Sequence, residues 1–184
     1  MTVYLWFLIV AGTCGALLVA LYNRLVRLRN GCESAWSDID VQLKRRHNLI
    51  PNLVETVKGY AGHEKSTLEA VIQARSAAVS AKGVEAQSKA EQGLSGALGR
   101  LMLIVEQYPD LKANQNFLGL QEELTSTENK ISFSRQHYND SVMQYNTRIQ
   151  TFPNNVLAGM FNFGEEPFFE IEEPAAREAP KVQF

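Results

Sequence analysis

The chain opens with a long apolar run. Residues 1–23 carry no charged side chain, and the first charge is that of Arg24. About 20 predominantly apolar residues are enough to cross a bilayer as a helix. A cleaved signal peptide would have basic residues before a shorter apolar run and a small-residue cleavage site after it. We therefore predict an uncleaved transmembrane helix over residues 4–23, after a short extracytoplasmic N-terminus of residues 1–3.

Basic side chains follow this run and predict its orientation. Arg24, Arg27 and Arg29 come directly after it, whereas only the terminal amine precedes it. Because cytoplasmic flanks carry an excess of Lys and Arg, the N-terminus is expected outside and the C-terminal domain in the cytoplasm. The same three arginines are predicted to contact anionic headgroups, each contributing about 1 kcal/mol.

Small residues recur along one side of the predicted span, at Gly12, Gly15, Ala16 and Ala20. Such a stripe allows the backbones of two helices to approach closely in lipid. Small residues are also common in membrane helices in general. We therefore expect the span to pack against another helix through this stripe. The alternative is that these small residues only reflect the usual composition of a membrane helix.

Helical periodicity dominates the rest of the chain, and no run alternates as a strand would. After the span, apolar positions recur every three or four residues up to about Tyr60. Pro51 lies inside this pattern and removes one backbone donor, so a kink or a break is expected near residues 47–51.

Three further helices are predicted by the same spacing. The second begins near Lys65 and ends at Gly83, the third is stopped by Pro109, and the fourth runs from Phe117 to Ile149. Short connections make consecutive helices antiparallel neighbours. The fold class predicted is all-α: an N-terminal transmembrane helix that continues into a cytoplasmic antiparallel bundle of three to four long helices, over residues 24–153.

The composition changes twice after residue 153. Residues 154–169 are rich in aromatic side chains, namely Phe161, Phe163, Phe168 and Phe169. This extension either folds back to cap the bundle or binds a partner or the membrane surface. Residues 170–184 are acidic and rich in Pro and Ala, which predicts a disordered tail.

The chemistry-bearing residues form no recognisable catalytic or metal-binding motif. His63 and Glu64 begin a zinc-protease pattern, but Thr67 stands where its second histidine is needed. The three histidines share no metal-ligand spacing, and exposed or capping roles are expected for them. No catalytic, cofactor-binding or metal-binding residue is predicted. An enzyme would have to use Asp38, Glu55, His63 and Glu64, and we do not favour it.

Overall charge adds little to this picture. The net charge of -2 does not suggest a nucleic-acid partner. The two cysteines, Cys14 and Cys32, lie on either side of the predicted membrane boundary and are expected to be reduced thiols.

One basic cluster, Lys44, Arg45 and Arg46, stands out because Arg46 occupies a position on the apolar stripe. It either attracts an acidic ligand, partner or lipid, or forms a solvated face in which Arg46 pairs with an acidic residue such as Glu123 or Glu128. The second interpretation is preferred. A buried acidic partner would make Arg46 structural.

Several long motifs resemble one family. They are "YNRLVRLRN" after the span, "AWSDIDVQLKRRHNLIPNLVETVKGYAGHE", "YPDLKANQNFLGLQEEL", "TENKISFSRQHYNDSVMQYN" and "FPNNVLAGMFNF". In this order they resemble the LemA family of membrane-anchored bacterial proteins, over about residues 22–165. The resemblance implies one membrane span, a cytoplasmic helical bundle and no established catalytic activity. His47 and the Gly31-Cys32 pair depart from its commonest pattern.

These observations together predict a non-enzymatic scaffold in the bacterial inner membrane. It would contact membrane lipid, self-assemble as a homo-oligomer and organise or shape membrane. The alternative is an adaptor that regulates another membrane protein, such as a protease or a signalling kinase.

Overall fold

The computed structural model describes residues 1–170. The predicted disordered tail, residues 170–184, therefore lies almost wholly outside the described residues. The described chain forms two compact units. Unit 1 holds residues 1–39 and 133–167, and unit 2 holds residues 40–132 together with residues 168–170.

The predicted all-α fold is confirmed, because the described residues form helices and no strand. The long helices agree closely with the predicted ones, and two short helices were not predicted. The six are α1 (Thr2–Lys58), α2 (Lys65–Ser80), α3 (Val84–Val105), α4 (Pro109–Lys112), α5 (Gln115–Gln150) and α6 (Asn154–Met160).

Two proline predictions need revision. The helix α1 continues through Pro51, so of the two alternatives expected near residues 47–51, a kink or a break, the break is wrong. Pro109 does not simply stop the third helix. That helix ends at Val105, and Pro109 opens the short helix α4 instead. Proline is favoured at the first turn of a helix because the amide it lacks would have no helical partner there.

The N-terminal part of α1 is apolar on all sides. The described chain has one helix long and apolar enough to cross a membrane, and this is α1. Its most apolar window has a mean hydropathy of 2.2, and none of that window is buried by protein. A helix that is apolar all round needs an apolar solvent or a protein partner around it.

Unit 1 packs α1 against the C-terminal half of α5 and against the segment that follows. The rings of Trp36 and Tyr138 are tilted to one another by 58° with centroids 5.6 Å apart, and the rings of Tyr22 and Phe161 have centroids 4.9 Å apart. The earlier residue of α1, Tyr22, pairs with the later aromatic residue, Phe161, and Trp36 pairs with Tyr138. The two segments are therefore antiparallel. The buried side chains of this unit include Leu25, Cys32, Ala35, Ile39, Tyr138, Val142, Tyr145, Ile149, Leu157 and Ala158.

Unit 2 contains the larger apolar core. The helices α2 and α3 form a hairpin whose turn contains Gly83, at φ +84°, a conformation that favours glycine. The C-terminal part of α1 and the start of α5 complete the unit. Its fully buried side chains include Ile50, Leu53, Val57, Val71, Leu94, Leu101 and Leu111.

Candidate functional site: a buried polar cluster in unit 2

The first feature of the cluster is a backbone carbonyl that Pro51 leaves without its helical donor. A proline has no amide hydrogen, so the carbonyl four residues earlier, that of His47, loses its helical donor. The Arg75 side chain of α2 supplies the missing hydrogen bond, because its Nε donates to the His47 carbonyl at 2.7 Å. The helix can therefore continue past Pro51 without leaving this carbonyl unpaired.

Arg46 is buried on the apolar face of α1, with only 5% of its surface exposed. Its guanidinium has three partners. Nη1 lies 3.1 Å from Glu128 Oε2 and 3.4 Å from Glu91 Oε2, and Nη2 donates to Ser95 Oγ at 2.8 Å. The predicted pairing with Glu128 is confirmed, whereas the structure shows no ion pair between Arg46 and Glu123. Glu91 and Ser95 were not predicted.

His47 is buried as well, at 6% exposure, so the expectation of an exposed or capping histidine is wrong for this residue. Its Nε2 lies 2.6 Å from Glu91 Oε1. Gln87 Nε2 donates to the same carboxylate oxygen at 2.9 Å and to the Ala78 carbonyl at 3.0 Å. Glu91 thus receives hydrogen bonds on both oxygens.

Glu91 is the centre of the cluster because it is 1% exposed and meets both Arg46 and His47. A carboxylate withdrawn from water is stable only when its oxygens are hydrogen-bonded and its charge is compensated. Here a guanidinium, an imidazole and an amide meet those needs. The cluster joins α1 to α3 and to α5, so its geometry favours a structural role.

Access to this cluster is poor. A groove of about 740 Å³ lies in unit 2, and its lining includes Arg75 but none of Arg46, His47 and Glu91. Among residues 1–170 no group of three or more His, Cys, Asp or Glu side chains is placed to hold a metal ion.

The residues that an enzyme would have needed are dispersed. Asp38 is exposed and belongs to unit 1, whereas Glu55, His63 and Glu64 belong to unit 2. Glu55 lines the groove and is exposed, and His63 is also exposed.

Sequence reasoning missed Glu91 because the first half of α3 reads as polar. A signal was present: Glu91 lies three residues before Leu94 and seven before Leu98, on the face that α3 buries. An acidic residue on an apolar stripe indicates a buried charge that needs a partner. The pattern does not say which basic residue that partner is.

The predicted membrane-facing residues lie in unit 1. Arg24 and Arg27 are exposed, and Arg29 Nε lies 3.7 Å from Glu166 Oε1. A side chain added at Gly12 or Gly15 would meet no atom within 4 Å. Ala16 and Ala20 are exposed on the same helix.

The four phenylalanines of the extension have different surroundings. Phe169 is fully buried and Phe163 is half-buried, whereas Phe161 and Phe168 are exposed. Phe169 is thus packed inside the protein, whereas Phe168 and Phe161, whose ring also meets that of Tyr22, keep exposed surface.

The segment formed by residues 161–167, here called the C-terminal strap, is held along α5. Tyr145 Oη donates to the Gly164 carbonyl at 2.9 Å, and Tyr138 Oη donates to the Pro167 carbonyl at 2.8 Å. Asn146 makes two bonds with the backbone of Glu166, one as donor and one as acceptor, each at 2.9 Å.

Burial also changes the titration of this region. It raises the pKa of the Cys32 thiol to about 11, and the negative charge of Glu166 adds to the effect. Burial, again reinforced by Glu166, raises the pKa of Tyr138 to about 12. Both groups are therefore neutral at physiological pH, as a packed interior requires.

Comparison with known proteins identifies similar proteins and a matching family. The model of the LemA family matches residues 35–184. Magnetosome protein MamQ 2 of Paramagnetospirillum magneticum is 30% identical over 186 residues, which cover 87% of this chain and 68% of that protein. Magnetosome protein MamQ of Magnetospirillum gryphiswaldense is 29% identical, with 86% and 67% covered.

A further relative is Protein LemA of Metamycoplasma hominis. It is 29% identical over 171 residues, which cover 92% of this chain and 78% of that protein. The family match spans more than half of the chain and includes the helices that build the polar cluster. The chain belongs to the LemA family.

Proposed function

We propose that this LemA-family chain is a non-enzymatic scaffold, anchored by the first part of α1 in the bacterial inner membrane, that self-assembles and organises or shapes membrane. The observation that carries the proposal is the continuity of α1. One helix, Thr2–Lys58, contains both the candidate span and the stripe buried in the protein units. Association of two anchors would therefore be coupled directly to the helix on which the bundle is built.

The anchor offers a surface for such association. Gly12 and Gly15 have open space beside them, and Ala16 and Ala20 continue the same side of the helix. Backbones that approach closely at small residues gain van der Waals contacts that lipid tails fit less well. The buried polar cluster supports the non-enzymatic part of the proposal, because its geometry favours a structural role.

The proposal also includes the orientation of the chain in the membrane and its role in organising membrane. The arginines after the span support a cytoplasmic C-terminal domain. The relatives named magnetosome proteins support the membrane-organising part. The proposal assigns no catalytic residue, no cofactor and no nucleic-acid partner.

The test is the oligomeric state of the full chain in nanodiscs or mild detergent, measured by crosslinking and sizing. The wild type is expected to form oligomers. Gly12→Ile combined with Gly15→Ile should weaken them, because the added side chains hold neighbouring backbones apart. Val10→Ile with Leu17→Ile is the matched control on another side of the helix and should change little. A wild type that is strictly monomeric at membrane-like density would refute self-assembly.

A second candidate function is an adaptor for another membrane protein. It is favoured by the groove in unit 2, whose lining combines apolar side chains such as Ile50 and Leu68 with the basic Lys58 and Lys65. The exposed ring of Phe168 supports it as well. Partner recovery should then fall when Ile72→Glu or Phe168→Ser is introduced into the full chain. Unchanged recovery with both variants would exclude these surfaces as the binding elements.

A further inference from the structure

The short helix α6 and its flanks expose an uncharged apolar surface. No charged residue lies between Arg148 and Glu165. Phe152 and Met160 are 81% and 73% exposed, and Val156, midway between them, is exposed as well. Val156 and Met160 lie four residues apart on α6, and Phe152, which precedes that helix, lines one groove together with them. These exposed apolar side chains form one strip, which in water would have no favourable partner.

This strip faces a groove that α1 completes. The groove has a volume of about 520 Å³ and lies within unit 1. One wall is Leu18, Val19 and Tyr22 of α1, and the other includes Val156, Leu157 and Met160 of α6. All of these side chains except the tyrosine hydroxyl are apolar, so the groove suits a hydrocarbon chain.

The α1 residues of the groove also indicate how deep the groove lies in the membrane. Leu18, Val19 and Tyr22 belong to the predicted span of residues 4–23. Leu18 lies five residues before the end of that span, or about 7.5 Å along the helix axis. An interfacial helix buries its apolar face about 5–10 Å into the boundary between headgroups and acyl chains. The two depths agree, so α6 lies where such a helix would be expected.

Positive charge follows at the next step along α1. Arg24 and Arg27 are exposed, and neither forms an ion pair with another described residue. They come two and five residues after Tyr22, at the level along α1 where lipid phosphates would lie, and point about 160° and about 140° away from Tyr22 around the helix. Along the helix axis, the order of apolar groove, tyrosine and arginine matches the order of acyl chain, ester region and phosphate in one leaflet.

We infer that residues 152–161 form a second membrane contact, in which the groove between α6 and α1 takes the acyl chain of a bilayer lipid, while Arg24 and Arg27, on other sides of α1, contact the phosphates of neighbouring lipids. This inference rests on the proposed anchoring of α1 in the membrane. It goes beyond anchoring, because it assigns lipid contact to a segment that is 130 residues away from the span in sequence and forms no transmembrane helix.

The test places a single tryptophan in the full chain and measures its quenching by lipids brominated on the acyl chain near the glycerol backbone. The native Trp6 and Trp36 are replaced by phenylalanine. Phe152→Trp then reports on the strip beside the groove. The matched control is Phe133→Trp on α5, which replaces an equally exposed ring of the same unit. Position 133 lies 17 residues before the end of α5, or about 25 Å along that helix.

We expect Phe152→Trp to be quenched several-fold more strongly than Phe133→Trp. A third variant that keeps only Trp6 reports on the anchor itself. Quenching of Trp6 with equal, weak quenching at positions 152 and 133 would overturn the inference while leaving the anchor in place. Absence of quenching at Trp6 would overturn both the anchoring and the inference.

Two further measurements identify the ligand. Arg24→Gln with Arg27→Gln should leave the quenching at position 152 nearly unchanged in vesicles containing phosphatidylglycerol, because the groove binds the acyl chain and the arginines face other lipids; a several-fold loss of quenching would overturn the assignment of this contact to the acyl chain. Crosslinking at position 152 to a second copy, with no quenching by bromolipid, would show that protein covers the strip and would overturn the lipid assignment.

Discussion

Unit 1 and unit 2 both bury polar side chains, but the partners of these side chains differ in kind. In unit 2 a buried carboxylate, Glu91, is paired with Arg46 and His47. In unit 1 the buried partners are neutral: two tyrosine hydroxyls and the amide of Asn146 bond to backbone atoms of the C-terminal strap. One unit is therefore held by mutually dependent charges and the other by separate neutral hydrogen bonds.

This difference has energetic consequences. A neutral hydrogen bond contributes about 1 kcal/mol to stability, because the same groups are hydrogen-bonded to water in the unfolded chain. A buried charge that loses its partner costs much more, because the remaining charge keeps its desolvation penalty. Unit 2 should therefore be the more sensitive of the two to a single polar substitution. The predictions below test this contrast, from the largest expected effect to the smallest.

Glu91→Ala should be the most damaging polar substitution. It leaves the buried Arg46 guanidinium with the half-exposed Glu128 as its remaining carboxylate and His47 without its partner, which should lower the free energy of unfolding by about 3 kcal/mol. Urea denaturation followed by circular dichroism measures the change. The control is Glu106→Ala, which removes an exposed ion pair with Lys112 and should cost at most about 1 kcal/mol. Equal effects of the two variants would contradict a cluster of dependent charges.

Asn146→Ala should cost less, about 2 kcal/mol, because two neutral hydrogen bonds to Glu166 are lost. The strap should then exchange its amide hydrogens faster, as hydrogen-exchange mass spectrometry would show. Gln150→Ala is the matched control, since Gln150 bonds the exposed side chain of Glu165 at 2.7 Å and should leave exchange nearly unchanged. Similar exchange in both variants would argue against Asn146 as the fastening point.

Arg75→Met should cost about 1 kcal/mol, because the His47 carbonyl loses its donor. Pro51→Ala restores a backbone amide at position 51 that can bond this carbonyl. The double variant should therefore lose less stability than the two single changes predict by addition. Strict additivity in the double-mutant cycle would show that Arg75 does not compensate for the proline.

The effect of Cys32 is absent at neutral pH and emerges only as an alkaline dependence of stability in unit 1. The folded pKa of Cys32 is raised from 9.0 to about 11. Above pH 9 the unfolded thiol ionises while the folded one stays neutral, so its contribution falls progressively until the pH reaches about 11. Cys32→Ala should flatten the fall in stability between these values relative to the wild type. Identical slopes would show that Cys32 does not set the alkaline limit.

Much of the fold could be predicted because it depends on local spacing. The apolar stripes of α1, α2, α3 and α5 follow the helical period, so their bounds agree closely with those observed. The helix α6 was missed because it has only seven residues, too few for a periodic pattern to be distinguished from an apolar loop. The helix α4 was missed because Pro109 reads as a stop unless the helix that begins there is known.

The polar cluster was predicted only in part, and particular residues show why. Arg46 was conspicuous as a charge on an apolar stripe, and Glu128 could be named as one partner. Glu91 is 45 residues from Arg46 in sequence, and only the packing of α3 against α1 brings them together. The role of Arg75 depends on the same packing, because a free carbonyl at His47 follows from Pro51 but its donor does not.

The sequence by itself determined that the chain is helical, that its first 23 residues need an apolar environment, and that one arginine lies among apolar neighbours. These properties follow from composition and from a period of 3.6 residues, which neighbouring residues express without the rest of the molecule. Tertiary structure decided that Glu91 neutralises Arg46, that His47 is buried, and that the strap lies along α5. Those outcomes depend on which surfaces meet, because burial turns an ordinary charge or amide into one that must find a partner.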